Sequence, residues 1–168
     1  MPQPPYKLVA NLPYNISSQI LFRVLDHHGL FSRLVLMFQK EVGDRLCADP
    51  GTGDYGILSV LCRLWFDIER VTNVKPGAFH PPPKVDSVVL AFTPLGSPRV
   101  QVSDEAFFRK IVKAAFAQRR KTLANALKSA GLEPDRIEDA LVRNQLDVRI
   151  RGEALSLEQF AGLANSLA

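Results

Sequence analysis

The sequence predicts an α/β layer followed by a small all-helical domain. Two observations carry that reading. Up to about residue 96, short runs rich in Val, Ile, Leu and Phe alternate with segments whose apolar residues recur at helical spacing, as when strands exchange with helices. From about Ser103 onward the strand-like runs stop and helical spacing continues to the end. At 168 residues and 46% hydrophobic content, the chain is long and apolar enough to bury a core, which places it among globular proteins.

The elements follow in order. Met1 to Pro5 is proline-rich and reads as a lead-in rather than a domain. Lys7 to Asn11 predicts a buried strand around Leu8-Val9-Ala10, and Ser17 and Ser18 open a helix to about His28 with Ile20, Leu21, Val24 and Leu25 on one face. Arg33 to Gln39 is a second strand, and Lys40 to about Ala48 a second helix. Asp49 to Asp54 is a loop by composition, after which Tyr55 to Phe66 resumes helical spacing at Ile57, Leu58, Leu61 and Leu64 or Trp65. Asp67 to Val74 and Val85 to Phe92 predict two more strands. The proline-rich Lys75 to Lys84 between them cannot supply many ladder hydrogen bonds. Thr93 to Ser103 reads as a linker, and helices are expected at about 104–117, 122–130, 134–142 and 156–167. Ser103-Asp104-Glu105-Ala106 resembles a helix start, and Ser156-Leu157-Glu158-Gln159 is a fuller capping box. The domain boundary is therefore placed between residues 1–96 and 97–168.

Composition excludes several function classes. Lys and Arg total 21 against 17 Asp and Glu, a net charge of +4 that permits a polyanionic partner without demonstrating one. Cys47 and Cys62 stand too far apart for a Cys-x-x-Cys knuckle, and no signal peptide or membrane-length apolar run precedes them. The expectation is a reducing cytoplasm, no membrane, and thiols that act as packing groups. His27, His28 and His80 have no metal-ligand spacing, and no Gly-x-Ser-x-Gly or paired-carboxylate arrangement occurs, so metal, hydrolytic and glycosidic chemistry lack residues. Gly51-Thr52-Gly53-Asp54-Tyr55-Gly56 fits G-x-G-x-x-G literally. A dinucleotide fingerprint, however, must follow a strand and open a helix, and here a helix precedes it, so it reads as a loop.

The candidate chemistry sits where the first strand ends. In open α/β sheets the crevice beyond the strands' carboxyl ends receives ligands, so Asn11 and Tyr14 are expected to face a cleft. An exocyclic adenine amine is a poor nucleophile because its lone pair is delocalised into the ring. A protein that methylates it must accept its N–H bonds and hold the nitrogen in line. The Asn11 Oδ1 and the Leu12 carbonyl could be those acceptors, Pro13 stiffens the turn, and Tyr14 offers a flat face to a base drawn out of its stack. A plain strand-to-helix turn accounts for the same four residues when they are taken alone.

Farther along, Phe79 lies in a loop held by Pro81, Pro82 and Pro83, which suits either presentation of an aromatic ring to a base or ordinary burial. Lys84 is close enough to contact phosphate, and Asp86 and Ser87 are expected to tie the loop down through backbone hydrogen bonds. Between Arg109 and Lys128 stand seven basic residues, Arg109, Lys110, Lys113, Arg119, Arg120, Lys121 and Lys128, and no acidic one. Such a block suits RNA phosphate with strongly salt-dependent binding; a solvated helix face is the alternative.

Three stretches, taken together in this order, resemble the KsgA family of small-subunit ribosomal RNA adenine N6,N6-dimethyltransferases. They are Asn11-Leu12-Pro13-Tyr14-Asn15-Ile16-Ser17-Ser18, Ala78-Phe79-His80-Pro81-Pro82-Pro83-Lys84-Val85-Asp86-Ser87, and Ala115-Phe116-Ala117-Gln118-Arg119-Arg120-Lys121-Thr122-Leu123. Gln39-Lys40-Glu41-Val42, Asp54-Tyr55-Gly56 with Leu58-Ser59-Val60, and Arg151-Gly152-Glu153-Ala154-Leu155-Ser156 are similar to the family as well. The resemblance implies part of a class I, Rossmann-like methyltransferase sheet using S-adenosylmethionine, followed by a helical domain that binds ribosomal RNA in ribosome biogenesis. It implies that Asn11 and Leu12 receive the target amine, with Asn11 also on the cofactor side, that Pro13 and Tyr14 complete the catalytic turn, and that Phe79 helps to hold the base. Erythromycin-resistance methyltransferases of large-subunit RNA share the first two stretches; the third favours the KsgA branch.

One departure from the family is large. A nucleotide-binding half of about a hundred residues is expected ahead of Asn-Leu-Pro-Tyr, with the Gly-rich turn and the ribose-binding acid, and this sequence lacks it. The expectation is a truncated chain that carries little of the S-adenosylmethionine site and is inactive by itself. Its strand near Leu8 would be an unpaired edge open to self-association. A non-catalytic RNA- or ribosome-binding module is the alternative from a different class.

Overall fold

The structure, a computed structural model, describes residues 3–168, so Met1 and Pro2 of the expected lead-in lie outside the described residues. The elements are β1 (Tyr6–Asn11), α1 (Ser17–Asp26), β2 (Phe31–Gln39), α2 (Lys40–Cys47), α3 (Ile57–Trp65), β3 (Phe66–Val74), β4 (Ser87–Pro94), α4 (Glu105–Ala117), α5 (Leu123–Ser129), α6 (Pro134–Arg143) and α7 (Leu157–Leu167). The alternation of strands with helices, followed by helices alone, is the expected α/β class. α1 stops at Asp26 because the chain tightens into a 3-10 turn at His28–Leu30, where the His28 Nδ1 lies 3.0 Å from the Leu25 carbonyl.

The chain divides into two compact units, one holding the residues up to Cys47 together with Trp65–Ser97, the other Ala48–Leu64 together with Pro98–Ala168. Residues 48–64, which a division at residue 96 groups with the sheet, cluster with the later helices instead. The apolar spacing of Ile57 to Leu64 marks a helix with a buried face, but periodicity does not say which core that face joins.

In the first unit four strands form one mixed sheet in the order β1-β2-β4-β3. β1 runs parallel to β2, with Leu8 opposite Leu34 and Asn11 opposite Met37. β4 is antiparallel to both its neighbours, so Ser87 pairs with Gln39 on one side and Val74 on the other. This register brings the carboxyl ends of β1 and β2 and the first residue of β4 to the same end of the sheet. Leu34, Leu36 and Phe38 from β2, Leu90 and Phe92 from β4, and Phe66 are wholly buried, and Phe66 meets Phe92 edge-on at 5.8 Å between centroids. The helix α2 lies so close to β4 that a side chain at Gly43 would overlap Val88 Cγ1.

β1 departs from the buried strand that its apolar run predicts. It has no neighbour but β2 among the described residues, and its residues alternate between half-buried and exposed, with Val9 76% exposed. An apolar Leu-Val-Ala run reads the same whether a second neighbour covers it or not.

The second unit is helical. Asp104 caps α4 by accepting from the Phe107 N–H at 3.0 Å, Thr122 caps α5, and Ser156 and Gln159 form a reciprocal capping box on α7. Phe108, Ile111, Leu127, Ile137 and Phe160 are buried where these helices meet. The Gly51–Gly56 segment, read from sequence as a loop, is one, and it is tied down from several sides. The Gly51 N–H donates to the Glu153 carbonyl at 2.7 Å, the Tyr55 hydroxyl to the Leu155 carbonyl at 2.9 Å, and the Arg119 guanidinium to the Gly53 carbonyl at 2.6 Å. Gly51 holds a φ of +82°, which suits glycine. Among the described residues no helix is long and apolar enough to cross a membrane.

Candidate active site

The chain leaves β1 at Asn11 and makes one further ladder contact, from the Leu12 N–H to the Met37 carbonyl at 3.3 Å. That contact fixes Leu12, whose side chain is buried. A turn follows in which the Ile16 N–H donates to the Pro13 carbonyl at 3.2 Å and the Ser17 hydroxyl to the Tyr14 carbonyl at 3.3 Å. Ser17 is thus the first residue of α1, and its hydroxyl reaches back to hold the turn; no side chain caps the helix. Pro13 has no N–H to contribute, so the turn's shape rests on these two contacts and on proline's fixed φ. Among the described residues, nothing bonds to the Asn11 carboxamide or donates to the Leu12 carbonyl.

The facing wall comes from the loop between β3 and β4. Pro76–Ala78 forms a 3-10 turn, closed by Ala78 N–H to the Lys75 carbonyl at 3.0 Å and Phe79 N–H to the Pro76 carbonyl at 3.1 Å. The loop's two ends are joined by the Lys75 ammonium on the Asp86 carboxylate at 2.6 Å, and the Asp86 carbonyl accepts from the Lys40 N–H at 2.9 Å. The result is a cleft of about 320 Å³ lined by Asn11, Leu12, Pro13, Tyr14, Phe79, Pro81 and Pro83. None of these seven side chains is charged and two are aromatic, and among the described residues the Asn11 carboxamide and the Leu12 carbonyl, groups of two of the lining residues, have no hydrogen-bond partner. The volume is at the lower end of the ~300–1,000 Å³ usual for small-ligand sites.

Asp86 makes a backbone tie, to Lys40, as expected, but the side chains of Ser87 and Asp86 both engage other side chains. Ser87 is the first residue of β4, its backbone already set in the ladder, and it is wholly buried. Its hydroxyl lies 2.6 Å from the Tyr14 hydroxyl, across 73 residues of sequence. Asp86 likewise binds a side chain, Lys75. Sequence reasoning missed the Tyr14–Ser87 pair and the two prolines in the wall. The only available signal was the rigidity of a loop with Pro81 to Pro83 in succession.

The remaining candidates stand elsewhere. Lys84 is exposed and does not line the cleft. Arg109, Lys110 and Lys113 lie on α4, where Arg109 pairs with Glu105 at 2.8 Å and Lys110 borders a cavity of about 200 Å³ with Phe107, Leu132, Glu133 and Arg136. Arg119, Arg120 and Lys121 form the turn between α4 and α5 and, with Ala117 and Gln118, surround a concave patch of about 350 Å³. The block has no acid of its own, yet the fold brings acids to it: Glu153 lies 3.7 Å from Arg119 and Glu138 3.5 Å from Lys128. Arg120 and Lys121 are exposed, and no partner engages their side chains among the described residues. Of the two thiols, Cys62 is wholly buried and burial pushes its pKa up; Cys47 is half-buried.

The chain as a whole is similar to known proteins. The chain is 65% identical over 161 residues to the ribosomal RNA small subunit methyltransferase A of Syntrophotalea carbinolica, covering 96% of this chain and 61% of that protein. It is 60% identical over 166 residues to the protein of the same name from Geobacter sulfurreducens, covering 98% of this chain and 60% of that protein. Its fold is similar to the crystal structure of a dimethyladenosine transferase from Plasmodium falciparum, with a TM-score of 0.76 and 27% identity over 94% of this chain and 64% of the other. The chain therefore spans about three fifths of the length of the curated relatives it matches. With the ribosomal RNA adenine dimethylase family matching across residues 1–168 and its relatives this similar, the chain belongs to the ribosomal RNA adenine dimethylase family.

Proposed function

We propose that this chain forms the base-holding part of an S-adenosylmethionine-dependent enzyme that dimethylates adenine N6 in small-subunit ribosomal RNA, in the cytoplasm. The observation that carries the reading is one cleft with no charged lining side chain that gathers Tyr14 and Phe79 with Asn11 and Leu12, whose carboxamide and carbonyl no described residue engages. An adenine drawn from its stack matches that wall set: a flat apolar body against the rings, and an amine whose two N–H groups need two acceptors. Accepting both N–H bonds fixes the direction of the nitrogen lone pair and raises its electron density, so the turn orients and activates the amine together.

S-adenosylmethionine supplies the methyl group. The residues present fit the base better than this donor. Asn11 offers a polar contact, but the cleft holds no charged side chain to meet an amino-acid ammonium and carboxylate. We place most of the donor's site on the length that the relatives have beyond this chain's span. The exposed turn at Arg119, Arg120 and Lys121 is the proposed contact to RNA phosphate, with Arg120 and Lys121 as its unengaged cations and Arg119 holding the turn through Gly53 and Glu153. The free edge of β1 at Val9 is a proposed site of strand pairing, which light scattering across a concentration series would show as self-association.

In a protein that joins this chain to the length its relatives have beyond the matched span, Asn11→Ala should lower methyl transfer to small-subunit RNA on the order of 10²-fold or more, the usual loss when one preorganised polar group is removed. Unchanged transfer would refute the reading. Calorimetric titration of the 168-residue chain with S-adenosylmethionine should show no micromolar binding. Salt-dependent RNA binding that is indifferent to Asn11 would favour a non-catalytic RNA-binding module, the reading that the basic turn alone supports.

A further inference from the structure

We propose that Ser87 is a positioning residue that sets the stacking face of Tyr14, an inference that rests on the reading of the cleft given above. A tyrosine on a turn can swing about χ1, and a half-buried phenol at the wall of an open cleft has water as an alternative partner. Tyr14 is held at its far end instead. Its hydroxyl meets Ser87 Oγ at 2.6 Å, a short distance for two hydroxyls.

Ser87 is suited to be the fixed end of this contact. It is 0% exposed, and its backbone is locked between Gln39 of β2 and Val74 of β3. The residue before it is anchored twice, by Lys40 and Lys75. The dipeptide Asp86-Ser87 thus fixes both aromatic walls of the cleft: Asp86 closes the base of the loop that carries Phe79, and Ser87 pins the ring of Tyr14. A buried serine hydroxyl with no other partner among the described residues keeps the pair together, because separating it from Tyr14 leaves a buried polar group unsatisfied. The contact also decides how Tyr14 acts. With its hydroxyl engaged behind the wall, the side chain meets substrate through its ring face and not through its phenol.

The test uses the 168-residue chain and a single-stranded RNA carrying 8-vinyladenine at the target position, a fluorescent adenine that keeps its 6-amino group and whose emission falls when it stacks on an aromatic ring. Ser87→Ala should lose most of the quenching and weaken binding by about 2- to 10-fold, the range for one intramolecular hydrogen bond. Tyr14→Phe, which keeps the ring and removes the contact from the other side, should do the same, and Ser87→Thr should restore quenching. Three-bond couplings of the free protein should show one Tyr14 χ1 rotamer in the parent chain and averaging in Ser87→Ala. Parent-like quenching in both Ser87→Ala and Tyr14→Phe would overturn the proposal, as would an unchanged single rotamer. Absence of quenching in the parent chain would instead overturn the base-holding function, and the couplings would then decide the role of Ser87 by themselves. If Ser87→Ala does not fold, Tyr14→Phe carries the test alone, with full quenching as the overturning result.

Discussion

Gly43 offers the sharpest stability test, because its environment makes two effects oppose each other and gives a way to separate them. It lies inside α2, where replacing Gly by Ala ordinarily stabilises by about 0.8–1 kcal/mol through helix propensity. Here the added Cβ would overlap Val88 Cγ1, a wholly buried atom on the central strand, and overpacking of this kind costs about 1–3 kcal/mol. Gly43→Ala should therefore destabilise by about 0–2 kcal/mol. Val88→Ala alone removes two buried methyl groups, about 1.6 kcal/mol at about 0.8 each before any cavity cost. In the double variant the methyl introduced at position 43 occupies part of the space that Val88 vacates, so the overpacking cost disappears while the propensity gain stays. The double variant should be more stable than the sum of the singles by about 1–3 kcal/mol. Urea unfolding followed by fluorescence of Trp65, the only tryptophan in the chain, which stacks on His28 at 3.8 Å, reads the sheet unit that contains both residues. Additivity within about 0.5 kcal/mol, or a Gly43→Ala variant stabilised by the full propensity gain, would refute the close approach of α2 to β4. The contact bears on the cleft too, because Val88 adjoins Ser87, and a strand displaced at 88 would shift the anchor of Tyr14.

Three further outcomes follow from single residues. Burial raises the Asp44 carboxyl pKa, but hydrogen bonds from Lys40 and Arg70 at 2.5 and 2.7 Å outweigh it and hold the group below its ordinary value; its stabilising contribution is present above the ordinary carboxylate range and lost as pH falls through the lowered value, so Asp44→Asn should flatten the acid side of a stability–pH curve, and an unchanged acid limb would count against the pairing. Tyr55 is pushed up to about 12 by burial, so its contribution to stability is complete below pH 10 and is lost as pH rises from 10 to about 12; Tyr55→Phe should cost about 1 kcal/mol at neutral pH by leaving the Leu155 carbonyl unpaired and should remove that alkaline loss, both visible in thermal melts across pH. If the α4–α5 turn binds RNA phosphate through its unengaged cations, Arg120→Ala and Lys121→Ala should each reduce the slope of log affinity against log salt by about 0.7–0.9, whereas Arg119→Ala should act mainly by loosening the Gly51–Tyr55 loop, measured as faster proteolysis there. Equal slopes for Arg120→Ala and the parent chain would remove the turn from the RNA contact.

What the sequence makes legible is whatever local chemistry determines. Helical spacing places the helices to within about two residues, because an apolar face repeats at its own period whatever it packs against. The Asn-Leu-Pro-Tyr turn is legible because proline, a short polar side chain and a following amphipathic segment constrain one another within a few residues. Strand neighbours are not legible in this way. The Leu8-Val9-Ala10 run suits a covered strand and an edge strand equally; only the resemblance marks it as an edge, and the order β1-β2-β4-β3 puts it there with Val9 exposed. Nor can spacing reveal which polar groups are already engaged, since the partners lie far away in the chain: Tyr14 meets Ser87, and Arg119 meets Gly53 and Glu153. That distinction bears most directly on function. Asn11, Tyr14, Arg119 and Arg120 all present polar groups that could bind a nucleic acid, yet the fold occupies Tyr14's hydroxyl and Arg119's guanidinium and leaves the Asn11 carboxamide, the Leu12 carbonyl and Arg120 unengaged among the described residues. A group already bonded within the protein must give up that bond before it can bind substrate, whereas an unengaged one meets substrate at no such cost. If the chain acts as proposed, the unengaged groups are therefore the ones to meet the amine and the phosphate, and the engaged ones are what hold them in place.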